Sequence, residues 1–385
     1  MRREPLIIGA GPAGCAAAIT LAQAGYRPTV LERSAGPADK VCGDFLSVDA
    51  IRRAQALGVD PLALGAAPIR RIVVASGARA ADATLPFPAC GLTRRTLDAA
   101  LLARVQSAGA TVRTGETVRH LVHASGTWIA RTGDGAALEA ETVFLATGKH
   151  DLRDLPRARD VRNAIGMKMY FAPAAGPAKA LAGTIALTLF PGGYAGMQPV
   201  EDNRIVLCIA IRPEAFRHHG GSWPGLIAAI GQRNPRFAAM LDGATPLLSR
   251  PLAVGGIPYG YQARPMAEGG LFRLGDQAAV IASLTGDGMA IALHSGQDAA
   301  AAWLEGVPAT DYQSGLARTL RGQMQLAGLL HRACMTGWLQ PGLVLGAGLF
   351  PGLLRHAADR TRLRHRPSRR EGTNASRVSN HGEVL

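Results

Sequence analysis

The stretch "PLIIGAGPAGCAAAITLAQAGYRPTVLER" limits what this chain can fold into more than any other. Leu6 to Ile8 is a short apolar run suited to a buried strand. Gly9, Gly11 and Gly14 follow at G-x-G-x-x-G spacing, with Pro12 and Ala13 between them. Ala16 to Ala24 is a run of small helix-forming residues, and Thr29 to Leu31 is a second strand ending in Glu32 and Arg33. The three glycines serve different ends. One makes the tight turn, one lets backbone approach a pyrophosphate, and one lets helix and strand pack closely. The helix N-terminus then receives phosphate, and the carboxylate of Glu32 can accept from ribose hydroxyls. Strand, glycine turn, helix and acid in this order predict a dinucleotide site in a parallel α/β domain.

The remainder divides by pattern. Arg95 to Ala108 reads as an amphipathic helix with Leu97, Leu101, Leu102 and Val105 on one face, and "ETVFLATG" reads as a buried strand closing on Gly148. Between about residues 160 and 260 the runs shorten, as in "GTIALTLF" and "RIVLCIAIRP", and "PGGY" and "VEDN" separate them; antiparallel strands joined by turns fit this pattern. "GDQAAVIASLTGDGMAIALHSG" then places an Asp and a second cluster of glycines before an apolar helix. The layout implies a discontinuous nucleotide-binding domain (1–67, 91–158 and 268–320), an inserted sheet domain (68–90 and 159–267), a helical segment (321–358) and a basic polar tail (359–385) too poor in apolar residues to fold alone.

Composition excludes several classes. The net charge is +14, but only Lys40, Lys149, Lys168 and Lys179 among the 42 basic residues are lysines. Part of the excess sits in one place, where Arg355, Arg360, Arg362, Arg364, Arg366, Arg369 and Arg370 face the single acid Asp359. Without interleaved aromatics this cluster reads as a solvated tail, not a nucleic-acid surface. Cys15, Cys42, Cys90, Cys208 and Cys334 are scattered and form no C-x-x-C pair, which argues against a disulfide framework and a zinc site, and no metal-ligand spacing is seen elsewhere, so no metal is expected. A reducing cytoplasm suits them. "PGLVLGAGLFPGLL", from Pro341 to Leu354, is too short to span a bilayer, so any membrane contact through 341–370 would be peripheral.

On these motifs the chain resembles the FAD-dependent group of p-hydroxybenzoate hydroxylase-like monooxygenases, flavin halogenases and geranylgeranyl reductases. The resemblance implies a Rossmann-like FAD-binding domain of the glutathione reductase type, with an antiparallel-sheet substrate domain. It assigns Asp276 in "LFRLGDQAA" to the ribityl chain, and Gly286, Gly288 and Met289 in "LTGDGMAIAL" to the turn at the pyrimidine end of the flavin. A positive helix end there would stabilise the anionic reduced ring. Arg94 and Asp98 match S-R-x-x-L-D, whose Arg approaches the pyrophosphate, although the adjacent Arg95 leaves the register open by one. "ADKVCGDFLS" is similar to the K-x-C-G-x-x-L-S segment beside the isoalloxazine, which brings in Cys42 and Gly43. Tyr194, Met197 and Gln198 are the expected substrate wall, and Cys42 and Tyr194 the candidate catalytic residues.

Departures from the family pattern bear on the reaction. Thr147 stands where the hydroxylase "DG" motif has its Asp, so either NAD(P)H or a partner reductase is open as electron donor. "GYAGMQP" lacks both Trp residues of the halogenase motif. "PGGYAGMQ" keeps Pro191 and Tyr194 of the reductase motif, with Gly196 and Gln198 at its aromatic positions, and Ser283 replaces a proline before the second glycine turn. The resulting expectation is a monooxygenase that hydroxylates or epoxidises a lipophilic aromatic, polyketide or isoprenoid compound. The alternatives are a reductase of carbon–carbon double bonds and a flavoprotein without turnover.

Overall fold

The computed structural model describes residues 3–157, 163–266 and 269–363. A five-stranded parallel sheet runs in the order Leu271–Arg273, Val143–Leu145, Leu6–Ile8, Thr29–Glu32, Thr111–Thr114. Its central strands Leu6–Ile8 and Val143–Leu145 are apolar and buried throughout because both faces are covered, whereas the edge strand Thr111–Thr114 is polar and partly exposed. Ile7, Phe144 and Phe272 point to one side, into a core with the helices Pro12–Gln23, Arg94–Ser107 and Gly288–Leu304. Leu6, Ile8, Val143 and Leu145 point to the other, against a three-stranded antiparallel sheet (Val118–Ala124, Thr127–Thr132, Ala137–Ala140) that carries Leu121, Trp128 and Ala130. The first helix begins at Pro12, earlier than the small-residue run suggests, because proline's fixed φ suits the first helical position.

A larger, mostly antiparallel sheet holds Asn163–Ala172, Thr184–Phe190, Gly193–Val200, Arg204–Ile211, Leu252–Pro258, Ala67–Ser76 and Arg79–Gly91. Its edge strand Phe45–Leu46 comes from the N-terminal segment, so the two domains share a seam there. One face buries Met167, Met197, Leu207 and Ile209 against Leu226, Ile230 and Phe237. The opposite face looks toward the parallel domain.

The long helix Ala309–Met335 joins the two cores. Tyr312, Leu316 and Leu320 pack into the nucleotide-binding side. Met335, with Val344 and Ala347 from the next helix Gln340–Leu349, packs against Leu189 and Tyr194 of the large sheet. The helix Gly352–Arg360 follows. Of the segment expected as a polar tail, 359–385, the structure describes 359–363, and there Thr361, Arg362 and Leu363 are buried, because Asp287 recruits the Arg362 guanidinium and the Leu363 amide. Residues 364–385 lie outside those described.

Candidate functional site

Two cavities meet along the carboxyl ends of the parallel strands. The smaller, about 570 Å³, is lined by Gly9, Gly11, Glu32, Arg33, Lys40, Arg94, Asp98 and His150. The larger, about 830 Å³, runs between the parallel domain and the large sheet and reaches the C-terminal helices. Gly11, Arg94, Gly148, Lys149 and Asp276 line both, so one elongated ligand can occupy the pair.

The first glycine turn is shaped by contact. A Cβ on Gly14 would stand 1.9 Å from the Gly9 carbonyl oxygen, so the third glycine serves helix packing and does not face the cavity. Gly11 faces it, beside Arg94. The helix Pro12–Gln23 has no side-chain cap, which leaves its first amides to whatever lies in the cavity. Glu32 accepts from the amides of Ala10 (2.8 Å) and Ser34 (2.9 Å). Burial alone would raise its pKa, but these donors outweigh it and hold the carboxyl below its ordinary range. Arg33 bonds His150 at 2.6 Å on the rim.

Geometry distinguishes the two arginines of the motif. Arg94 lines both cavities and binds Asp98 twice at 2.8 Å, whereas Arg95 is exposed and pairs with Asp39. Their helix is capped by Thr93, which together with Thr96 is held by the buried Glu201 in the turn between the large-sheet strands Gly193–Val200 and Arg204–Ile211: the Thr93 amide donates at 2.9 Å, its hydroxyl at 2.5 Å and the Thr96 hydroxyl at 2.7 Å. Glu201 thus fixes one domain's helix from the other.

The second glycine turn has a divided role. Gly286 adopts φ +69°, and a Cβ there would come within 2.6 Å of Phe45. Gly288 and Met289 open the helix Gly288–Leu304 at the cavity wall. Asp287 occupies the N-cap position, yet its side chain does not cap. It is fully buried and binds Ser47 (2.7 Å), Arg362 (2.9 Å), Gln323 and the Leu363 amide. The first amides of that helix are therefore left toward the cavity, and Arg362 also donates to the Thr285 carbonyl of the same turn.

Asp276 pairs with Lys149 at 3.2 Å where the cavities join. Burial opposes ionisation, but Lys149 and Arg157 keep the carboxyl below its ordinary value. Cys42 and Gly43 line the larger cavity. Immediately after them Asp44, at φ +55°, is fully buried between Lys168 (2.6 Å) and the Tyr170 hydroxyl (2.6 Å). Sequence reasoning missed this buried ion pair.

On the strand Gly193–Val200 the two-residue alternation separates the expected substrate wall. Tyr194, Gly196 and Gln198 face the cavity. Met197 does not: it points to the opposite face, into the core with Phe237. Gln198 donates to the Gly43 carbonyl at 3.0 Å, and its buried Oε1 has no partner among the described residues, leaving an acceptor free for a ligand. The Tyr194 hydroxyl lies 2.8 Å from Ser283, as does that of Tyr259, and His331 lies behind at 3.4 Å from Tyr194. Ser283 therefore does what proline could not, joining two tyrosines. Burial pushes the Tyr259 hydroxyl up to about 12 and Tyr194 well above its ordinary value, so both stay protonated. Around this polar spot the walls are Ile72, Val74, Leu187, Leu326, Leu330 and Leu343.

The uncapped helix ends, the open backbone at Gly11 and Gly288 and the free Gln198 acceptor fit a flavin dinucleotide. Residues 2–144 match the profile of the family described as FAD binding domain. The chain is similar to the menaquinone reductase of Mycolicibacterium smegmatis, at 25% identity over 81% of this chain and 79% of that protein. Its fold is similar to a probable FAD-dependent monooxygenase, PqsL, of Pseudomonas aeruginosa (TM-score 0.72, 18% identity, 89% of this chain and 99% of that one). A flavin-dependent brominase is similar in fold too (TM-score 0.77, 15% identity, 98% of each chain).

Proposed function

We propose that this chain, an FAD-dependent oxidoreductase of the hydroxylase and halogenase-like superfamily, reduces a carbon–carbon double bond in a lipophilic, isoprenoid-like compound bearing a small polar head. The observation that carries the reading is the larger cavity: beyond the end lined by Arg94, Lys149, Asp276 and Gln198 its walls are mostly aliphatic, the C-terminal helices close it, and Tyr194, Tyr259 and Ser283 form a polar spot among them. Bound FAD, once reduced by an external electron donor, would supply hydride to the double bond with a proton from solvent, and the chain supplies binding, orientation and a dry site. Gly196 and Gln198 stand where the reductase motif has aromatics, which leaves room on the sheet face. With Tyr259 donating to Ser283, the protonated Tyr194 hydroxyl is left to donate to a carbonyl or hydroxyl oxygen of the head group. Similarity to a menaquinone reductase along most of both chains supports reduction of a prenylated compound.

Monooxygenation of the same class of compound is the second reading, supported by the likeness in fold to a probable monooxygenase. Thr147 bonds the His150 carbonyl at 2.7 Å in place of the Asp of the hydroxylase motif, which supports electron supply through a partner reductase over direct NADPH oxidation. The test is product analysis of the flavin-loaded protein with a prenylated quinone, reduced with dithionite under anaerobic conditions. A double-bond-reduced product without oxygen supports the first reading. Product only after air is admitted moves the assignment to the second, and a protein that purifies without flavin overturns both.

A further inference from the structure

We infer that the two C-terminal helices form a docking face for an anionic lipid bilayer, through which a lipophilic substrate enters the larger cavity. The proposal rests on the reading of the substrate as lipophilic and deepens it. The helix Gln340–Leu349 contains no charged residue, and its buried side is already used by Val344 and Ala347. Its outer side is nevertheless apolar, with Leu345 52% and Leu349 67% exposed. Phe350 at 65%, Leu353 at 57% and Trp338 at 81% continue the same surface. Most of the exposed large apolar residues of the described chain fall between 329 and 353, whereas Leu62, Val122, Leu247 and Leu304 are scattered singly. An apolar patch of this kind at one place marks a surface that meets another apolar phase.

Two observations select a bilayer as the occupant. The first is charge: exposed Arg332, Arg355 and Arg360 stand on the helices of the patch, and Asp359 is the single acid between 336 and 363. Cationic side chains around an apolar face suit anionic headgroups, with indole and phenyl rings at the interface. The second is continuity with the cavity: Leu343 and Leu353 line it and are also exposed, so its inner wall and the outer surface are opposite sides of the same helices. No helix among the described residues is long and apolar enough to cross a membrane, so the contact lies on the bilayer surface.

The test is co-sedimentation of the full flavin-loaded chain with phosphatidylcholine vesicles and with vesicles containing phosphatidylglycerol, without substrate. Binding to the anionic vesicles that weakens with salt is the expected result. The double variant Leu349→Glu/Phe350→Glu should bind them at least about tenfold more weakly, each large apolar side chain withdrawn from lipid being worth roughly that factor. Its flavin spectrum and its turnover of a short, water-soluble analogue should be unchanged, because neither residue lines the cavity. Equal sedimentation of wild type and variant overturns the proposal. So does a wild-type dimer that the variant turns into a monomer, which would assign the face to a second copy. Because vesicle binding is read without substrate, its outcome is independent of the reaction assignment.

Discussion

At the scale of single residues, the buried pair behind the cavity carries a sharp expectation. Asp44 and Lys168 are both fully buried, and burial raises the Asp44 pKa even though Lys168 opposes it. Asp44→Ala leaves an uncompensated ammonium in the core and should cost about 3–5 kcal/mol in chemical denaturation. Tyr194→Phe and Tyr259→Phe remove one hydroxyl each from the Ser283 cluster without altering the packing. If the head group binds there, kcat/KM should fall about tenfold for either change, the worth of a hydrogen bond in a dry site, while the flavin spectrum stays as it is. An unchanged kcat/KM in both variants would remove that cluster from substrate recognition.

At the scale of elements, the helix Arg94–Ser107 depends on its contacts with the other domain. Thr93→Ala removes the cap and a partner of Glu201, and should destabilise by about 1–2 kcal/mol. The pH dependence follows from the same contacts. Burial would raise Glu32, Glu201 and Asp276, but amide and hydroxyl donors, or for Asp276 Lys149 and Arg157, leave them below their ordinary values of 4.5, 4.5 and 3.8. The unfolded chain therefore takes up protons first as pH drops. The stability these groups supply is whole above about pH 4.5 and is lost as acid carries them through their lower folded values. Asp44, shifted upward, has the opposite sign and softens the slope. Urea titrations between neutral pH and about pH 3 should show the decline beginning below about 4.5, and Glu201→Gln should flatten it. The packing of the helices Pro12–Gln23 and Gly288–Leu304 is equally specific: a Cβ on Gly296 would stand 2.2 Å from the Ala13 carbonyl oxygen. Gly296→Ala should force them apart and lower the flavin retained per chain on purification.

At the scale of the whole molecule, the sequence makes legible what local chemistry dictates. The glycine turns, the strands beside them and the Arg94–Asp98 pair are all specified within a few residues of one another. Met197 falls outside the substrate wall because a strand has two faces, and the alternation that separates them is present in the sequence. Asp44 with Lys168, Glu201 with Thr93 and Asp287 with Arg362 are not legible there, since each joins residues more than seventy positions apart and each looks like an ordinary surface charge in its own neighbourhood. Arg362 is hidden most fully, standing in a run of arginines that reads as solvent-exposed.

The Arg362–Asp287 clasp also sets an order of events in time. The cavity draws on backbone near residue 11, a turn near 287 and a guanidinium at 362 that holds that turn, so its final contact forms only after almost all of the described chain has left the ribosome. Cofactor capture is then a closing step of maturation, and a chain stopped after Arg355 should emerge colourless even though its glycine motifs are complete.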